Sequence, residues 1–194
     1  MILPVVSFGD PVLRKVAKEI DKDHQGLKEL IDNMFETMYA ASGVGLAAPQ
    51  IGQSIRLFIL DASPFAEKEE EDEKPNEHEH LKGFKKIFIN AKIIEEEGKE
   101  WKFNEGCLSI PTIREDVMRM PKIRIQYMDE NFKKYEEEYD GIAARIIQHE
   151  YDHIEGKLFT DRINPLRKRL LKNKLTDISK GRVEVSYKMK FSNK

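Results

Sequence analysis

One cysteine and one tryptophan occur in a chain of 194 residues. A lone cysteine cannot close an internal disulfide, which excludes a stapled secreted scaffold and points to a reducing compartment. Long apolar runs are also missing. The opening MILPVVSFGDPVLRK is apolar only briefly and has no basic leader. It is too short for a signal peptide or a membrane span, so a cytoplasmic protein with no membrane partner is the expectation. No internal repeat is present. What the chain does have is charge: 35% of its residues are charged against 40% hydrophobic. That composition is globular, and a domain of this size buries roughly 70% of the surface of its extended chain.

The formal net charge of −2 conceals two opposed segments. Residues 67–80, EKEEEDEKPNEHEH, hold eight acids and two lysines, a net of −6 that leaves +4 for the rest. This run reads as a solvated insertion spanning about residues 62–82. From Arg162 to Lys194, eleven Lys and Arg face only Asp177 and Glu184, a net of +9. Such an end is either a solvated face or a surface for polyanions.

Periodicity orders the elements. Leu27, Leu30, Ile31, Met34, Phe35 and Met38 form one apolar stripe and predict a helix over 23–40. The runs IRLFIL at 55–60 and IFINAKII within 84–94 read as strands, as do 100–104 and 118–128. In 123–128 Ile, Ile and Tyr alternate with Arg, Gln and Met, the pattern of a half-buried strand. After the turn residues Asp129-Glu130-Asn131, Phe132–Tyr139 returns as a hairpin partner. Helical period resumes at 141–155, a basic helix is predicted from Pro165 to about Leu175, and VEVSYKM at 183–189 reads as a last strand. Helix, strands, then helix is an α+β order. The expectation is antiparallel sheets around a central helix, with an N-terminal and a basic C-terminal helix, and a main domain at 1–165 followed by an extension at 166–194.

The sharpest motif is QHEYDH at 148–153. His149 and His153 stand four apart, so on a helix they share a face and can grip one ion. Glu150, beside the first of them, can reach a water on that ion as general base. A catalytic site needs a third protein ligand and an open position. Position 159 is Phe rather than His, and the only glutamate after Glu155 is Glu184, in a predicted strand. The third ligand therefore lies upstream or is an aspartate. Cys107, in NEGCLSIP beside Gly106, is the candidate, because a thiolate suits borderline and soft cations. A small buried hydrophobe is its alternative reading. His24, His78 and His80 lie in polar or acidic surroundings and are expected to face solvent.

Three separated motifs, GVGLAAPQ at 43–50, EGCLS at 105–109 and QHEYDH at 148–153, with GDPVLR at 9–14, resemble the peptide deformylase family over about residues 5–165. The resemblance implies removal of the formyl group from N-formyl-methionyl nascent polypeptides, with release of formate. It implies one divalent metal on Cys107, His149 and His153, usually Fe²⁺, with Zn²⁺ or Ni²⁺ in preparations. It makes Glu150 the general base and then acid, and gives the oxyanion to the Gln50 side-chain amide and the Leu108 backbone N–H. Gly45 would pair with the substrate chain, and Val44, Phe103, Glu105, Arg114, Ile142, Arg145 and Ile146 would lie near the methionine pocket, with the stem of Arg145 at its mouth. Joined to the basic end, it also suggests docking near ribosomal RNA through PLRKRLLKNK. The competing readings are an HExxH-type peptidase cutting internal bonds and a non-catalytic, metal-stabilised binding module.

Overall fold

A computed structural model describes residues 1–67 and 77–192. Residues 68–76, most of the acidic run 67–80, lie outside the described residues. In chain order the elements are β1 (Val5–Val6), α1 (Leu27–Ala40), β2 (Gly45–Ala47), β3 (Leu57–Asp61), β4 (Lys85–Glu97), β5 (Trp101–Cys107), β6 (Ile110–Arg119), β7 (Lys122–Met128), β8 (Lys134–Asp140), α2 (Gly141–Ile154), α3 (Pro165–Leu170), α4 (Lys172–Ser179) and β9 (Met189–Lys190), with short 3₁₀ turns between. The α+β class stands. Among the described residues no helix is long and apolar enough to cross a membrane.

The frame is an antiparallel sheet in the order β2-β3-β4-β7-β8, covered on both faces at β2 and β3 and open on one face toward β8. Side chains of β3 alternate between two cores, as the pleat requires. Leu57 and Ile59 join Leu30, Met34 and Met38 of α1, while Phe58 and Leu60 join Ile142, Ala144, Ile146 and Ile147 of α2. This double burial is why IRLFIL is continuously apolar rather than alternating. α2 is therefore a central helix laid on the sheet. The hairpin β5–β6 stands apart from that sheet and packs into a third core with Leu13, Leu158, Phe159, Leu171, Leu175 and Ile178.

Several boundaries differ from the sequence expectation for identifiable reasons. α1 starts at Leu27 rather than at 23, because Gly26 sits at φ +72°, a left-handed conformation that cannot continue a helix. The strand expected over 118–128 is divided at Met120-Pro121 between the end of β6, which begins at Ile110, and β7. The inward positions of β6 alternate as Ile113, Glu115, Val117 and Arg119, so half of the buried face is charged and the apolar alternation is hidden. β8 runs from Lys134, since Phe132 is taken into the turn at φ +59°. The basic helix is two short helices meeting at the buried Leu171 and reaching Ser179. Of the strand expected at 183–189, only Met189 enters a ladder, with Lys190 beyond the expected end, because the partner β1 is two residues long.

The ring of Phe88 in β4 lies 4.7 Å from that of Phe58 and 4.3 Å from that of Tyr127, fully buried beneath α2. Phe88→Ala should lower the free energy of unfolding by about 3–5 kcal/mol. The check is urea denaturation, in which the midpoint falls and the slope stays constant.

Candidate metal centre

Three segments meet at one point. The end of β5 brings Glu105, Gly106 and Cys107. The middle of α2 brings His149, Glu150 and His153. The turn after β2 brings Gln50. The candidate donor atoms of Cys107, His149 and His153 all lie within 4.8 Å of one another. Cys107 Sγ stands 3.3 Å from His153 Nε2. His149 Nδ1 contacts Glu105 Oε2 at 2.9 Å, which turns the opposite ring nitrogen, Nε2, toward the cluster. One soft sulfur and two imidazole nitrogens, held at contact distance beside a cleft, suit a divalent transition metal with an open coordination position.

The electrostatics fit that reading. Burial and the charge on His149 hold the His153 imidazole down to about 3, so its lone pair is free for a ligand. Burial also disfavours a charged His149, but the Cys107 sulfur and the Glu105 and Glu150 carboxylates outweigh it and raise its pKa well above the usual value. A cation attracted by the same negative groups would take the place of that proton. Glu150 is pushed up to about 7, first by burial, with the Glu105 and Asp152 charges acting the same way against His149 and Arg119. Its Oε2 and the His153 Nδ1 are buried without a hydrogen-bond partner among the described residues. Gly45 makes room for Glu150: a Cβ there would lie 2.4 Å from Glu150 Oε1.

Gln50 has a defined orientation. Its Oε1 accepts from the Ala47 N–H at 2.8 Å, so Nε2 points the other way, 3.5 Å from Cys107 Sγ and 3.4 Å from Ser109 Oγ. The cleft, about 650 Å³, is lined by Val44, Gly45, Gln50, Phe103, Glu105, Cys107, Leu108, Arg114, Ile146, His149 and Glu150. Two residues grouped with the pocket on sequence behave differently. Ile142 faces the sheet core instead of the cleft. Arg145 lines the cleft, but its guanidinium is buried, donating to Glu105 Oε1 at 2.9 Å, Val117 O at 3.1 Å and Trp101 O at 2.7 Å, with the Trp101 ring 4.5 Å away. Its charge is thus spent on the protein itself, while the residue still contributes to the cleft lining. His24 and His78 are half-buried and His80 is exposed, and none joins the cluster among the described residues.

Sequence reasoning missed the supports of the cluster. Arg119 donates to both oxygens of Glu105, at 2.7 and 2.9 Å, and to Asp152 Oδ2 at 2.7 Å. Arg162 grips the other side of Asp152 through two bonds of 2.6 Å. Asp152 lay inside the motif, but an arginine in a strand carried no signal that it was buried. Burial by itself would raise both carboxylates, yet Arg119 and His149 hold Glu105 well below the usual range, and Arg162 and Arg119 do the same for Asp152. Arg119→Met should therefore cost on the order of 3–5 kcal/mol at pH 7, because it strands buried charges. Both folded-state pKa values are depressed, so the stabilisation is complete above the unfolded values near 4 and is lost as pH falls through the folded ones. Urea titrations of both proteins should show the gap in full at pH 7 and a narrowing gap below about pH 4.

Comparison with known proteins gives one consistent answer. The family model described as polypeptide deformylase matches residues 2–169. The peptide deformylase of Christiangramia forsetii is 60% identical over 193 residues, covering 100% of this chain and 97% of that one. That of Flavobacterium psychrophilum is 60% identical over 190 residues, covering 98% and 97%. Among solved structures, a peptide deformylase from Legionella pneumophila superimposes with a TM-score of 0.77 at 35% identity, covering 94% of this chain and 98% of that one. The Thermotoga maritima peptide deformylase does so at 0.71 and 39% identity, covering 85% and 99%. With its fold, its Cys/His cluster and its relatives in agreement, the chain belongs to the polypeptide deformylase family.

Proposed function

We propose that the protein hydrolyses the formyl amide of N-formyl-methionyl nascent polypeptides, releasing formate and a free amino terminus. The observation that carries this reading is a buried, unpartnered carboxylate, Glu150, beside a three-donor metal cluster that opens on a cleft. A divalent cation on Cys107, His149 and His153 supplies Lewis acidity and brings the pKa of water toward about 7. Glu150 takes the proton of the attacking water on its carboxylate. The water oxygen bonds to the formyl carbon, the C–N bond breaks, and Glu150 returns the proton to the departing amine nitrogen. Gln50 Nε2, aimed by the Ala47–Gln50 bond, and the Leu108 N–H donate to the formyl oxygen as it gains negative charge.

The methionine side chain fits the apolar part of the cleft around Phe103 and Ile146. β2 is an edge strand of the main sheet, so an extended substrate can align beside Val44 and Gly45. Fe²⁺ is the metal we infer, with Zn²⁺ and Ni²⁺ as substitutes, because a thiolate with two imidazoles accepts all three. We place the reaction in the cytoplasm, where a free Cys107 stays reduced. We also propose that the basic face around α3 docks on ribosomal RNA. Arg167 is paired with Glu115 and Lys168 with Asp161, so the exposed Arg169 contributes most among these three.

Purified anaerobically with Fe²⁺, the protein should release formate from formyl-Met-Ala-Ser and leave casein and the acetylated peptide uncut. An enzyme that cut casein instead would establish the peptidase reading. Glu150→Ala should keep its metal, by elemental analysis, while kcat falls by at least about 10²-fold. Gly45→Ala should fold and bind metal, but with Glu150 displaced its kcat should drop about 10²-fold. For the docking proposal, co-sedimentation with ribosomes should weaken when Arg167, Lys168 and Arg169 become alanine; unchanged binding would remove it.

A further inference from the structure

Cys107 and Ile110 pair across the β5–β6 hairpin, so Leu108 and Ser109 are its two loop residues. Both loop carbonyls are held from outside the hairpin. The Phe8 N–H donates to Ser109 O at 2.8 Å, and the Tyr187 hydroxyl donates to Leu108 O at 2.7 Å. Phe8 lies two residues after β1 and Tyr187 two residues before β9. Those strands pair in parallel, Val5 with Met189 and Val6 with Lys190, and the ladder is extended by Val5 N–H to Lys188 O and Ser7 N–H to Lys190 O, both at 2.9 Å. The small sheet thus brings two distant parts of the chain to one hairpin turn. The turn is also bounded on its cleft side. A Cβ at Gly43 would lie 2.9 Å from Leu108 Cδ1, and Gln50 Nε2 is 3.4 Å from Ser109 Oγ.

Tyr187 itself is half-buried and lines the same cleft as Leu108 and Glu150. A hydrogen bond to the Leu108 carbonyl fixes the peptide plane that follows Leu108. Only the φ and ψ of Leu108 separate that plane from the one carrying its N–H. We propose that Tyr187 is a positioning residue, whose hydroxyl, delivered by the β1–β9 pair, holds the 107–109 turn so that the Leu108 N–H stays aimed into the cleft. The inference rests on the deformylase reading for the use of that N–H, and on the hydrogen-bond geometry alone for the clamp. An N–H serving the transition state affects kcat more than KM. Removing an oxyanion donor outright costs about 10²–10³-fold, so loosening one should cost less, about 10-fold.

The test is Tyr187→Phe, which keeps the ring and removes the hydroxyl, prepared with the same metal content as the unsubstituted enzyme. Expected are a kcat on formyl-Met-Ala-Ser lowered about 10-fold, a KM changed by less than about twofold, and a thermal midpoint within about 5 °C. Amide hydrogen exchange should accelerate in the peptide covering residues 105–110 and stay constant across α2. The proposal is overturned if kcat is unchanged, if the loss is all in KM, or if exchange at 105–110 does not move. Rapid, unprotected exchange of that segment in the unsubstituted protein would overturn it without any variant. If the unsubstituted enzyme releases no formate while the exchange of 105–110 still responds to the substitution, the functional reading fails and the clamp stands.

Discussion

A single buried carboxylate organises the centre. Glu105 receives two bonds from Arg119, one from Arg145 and one contact from His149, and it is 4% exposed. Those partners come from β6 and from two turns of α2, so one side chain of β5 ties the hairpin to the helix. Its position also sets which nitrogen of His149 faces the cluster. An isolated carboxylate could not be held here, because its desolvation would drive it to the neutral form. Two guanidinium groups keep it charged, and the chain through Arg119, Asp152 and Arg162 continues that compensation to the far side of α2.

The contrast with Glu150 explains why two glutamates lining one cleft can do different work. Glu105 has every reason to stay ionised, while Glu150 has burial without a partner and a pKa near neutrality. A group meant to accept and return a proton must not be locked in one charge state. Gly45 supplies the remaining requirement, which is space: any side chain at that position would occupy the volume of the Glu150 carboxyl. The glycine-rich segment before β3 is thus part of the site's packing as well as the end of α1.

Legibility in the sequence followed the physics of each signal. The four-residue spacing of His149 and His153 survives in any helix, so their shared face was readable before any coordinates. α1 and the continuous apolar run of β3 were readable for the same reason, since burial on one or both faces leaves a period or its loss. β6 was shortened because Glu115 and Arg119 occupy its inward positions, and a charged residue facing a core looks the same in sequence as one facing water. The buried guanidinium of Arg145 is hidden on the same ground. Nothing local in the sequence joins Tyr187 to Leu108: the link depends on β1 and β9, each too short to show a pattern. Cys107 was a borderline case, decided only by the two histidines 42 and 46 residues later.

The arrangement also accounts for two of the unsatisfied groups among the described residues. Buried polar atoms in folded proteins nearly always find partners, and those that do not call for a reason. Here Glu150 Oε2 and His153 Nδ1 lie without partners among the described residues, within one turn of α2, in the same structure that satisfies Glu105 and Asp152 through six hydrogen bonds from arginine. A helix whose Asp152 recruits both Arg119 and Arg162 had the means to quench Glu150 as well. Leaving it open costs stability locally, and the densely bonded network around Glu105 and Asp152 is what lets the fold carry that cost. The same partition, hydrogen-bonded carboxylates behind and an unbonded carboxylate oxygen in front, is what a proton-transferring site requires.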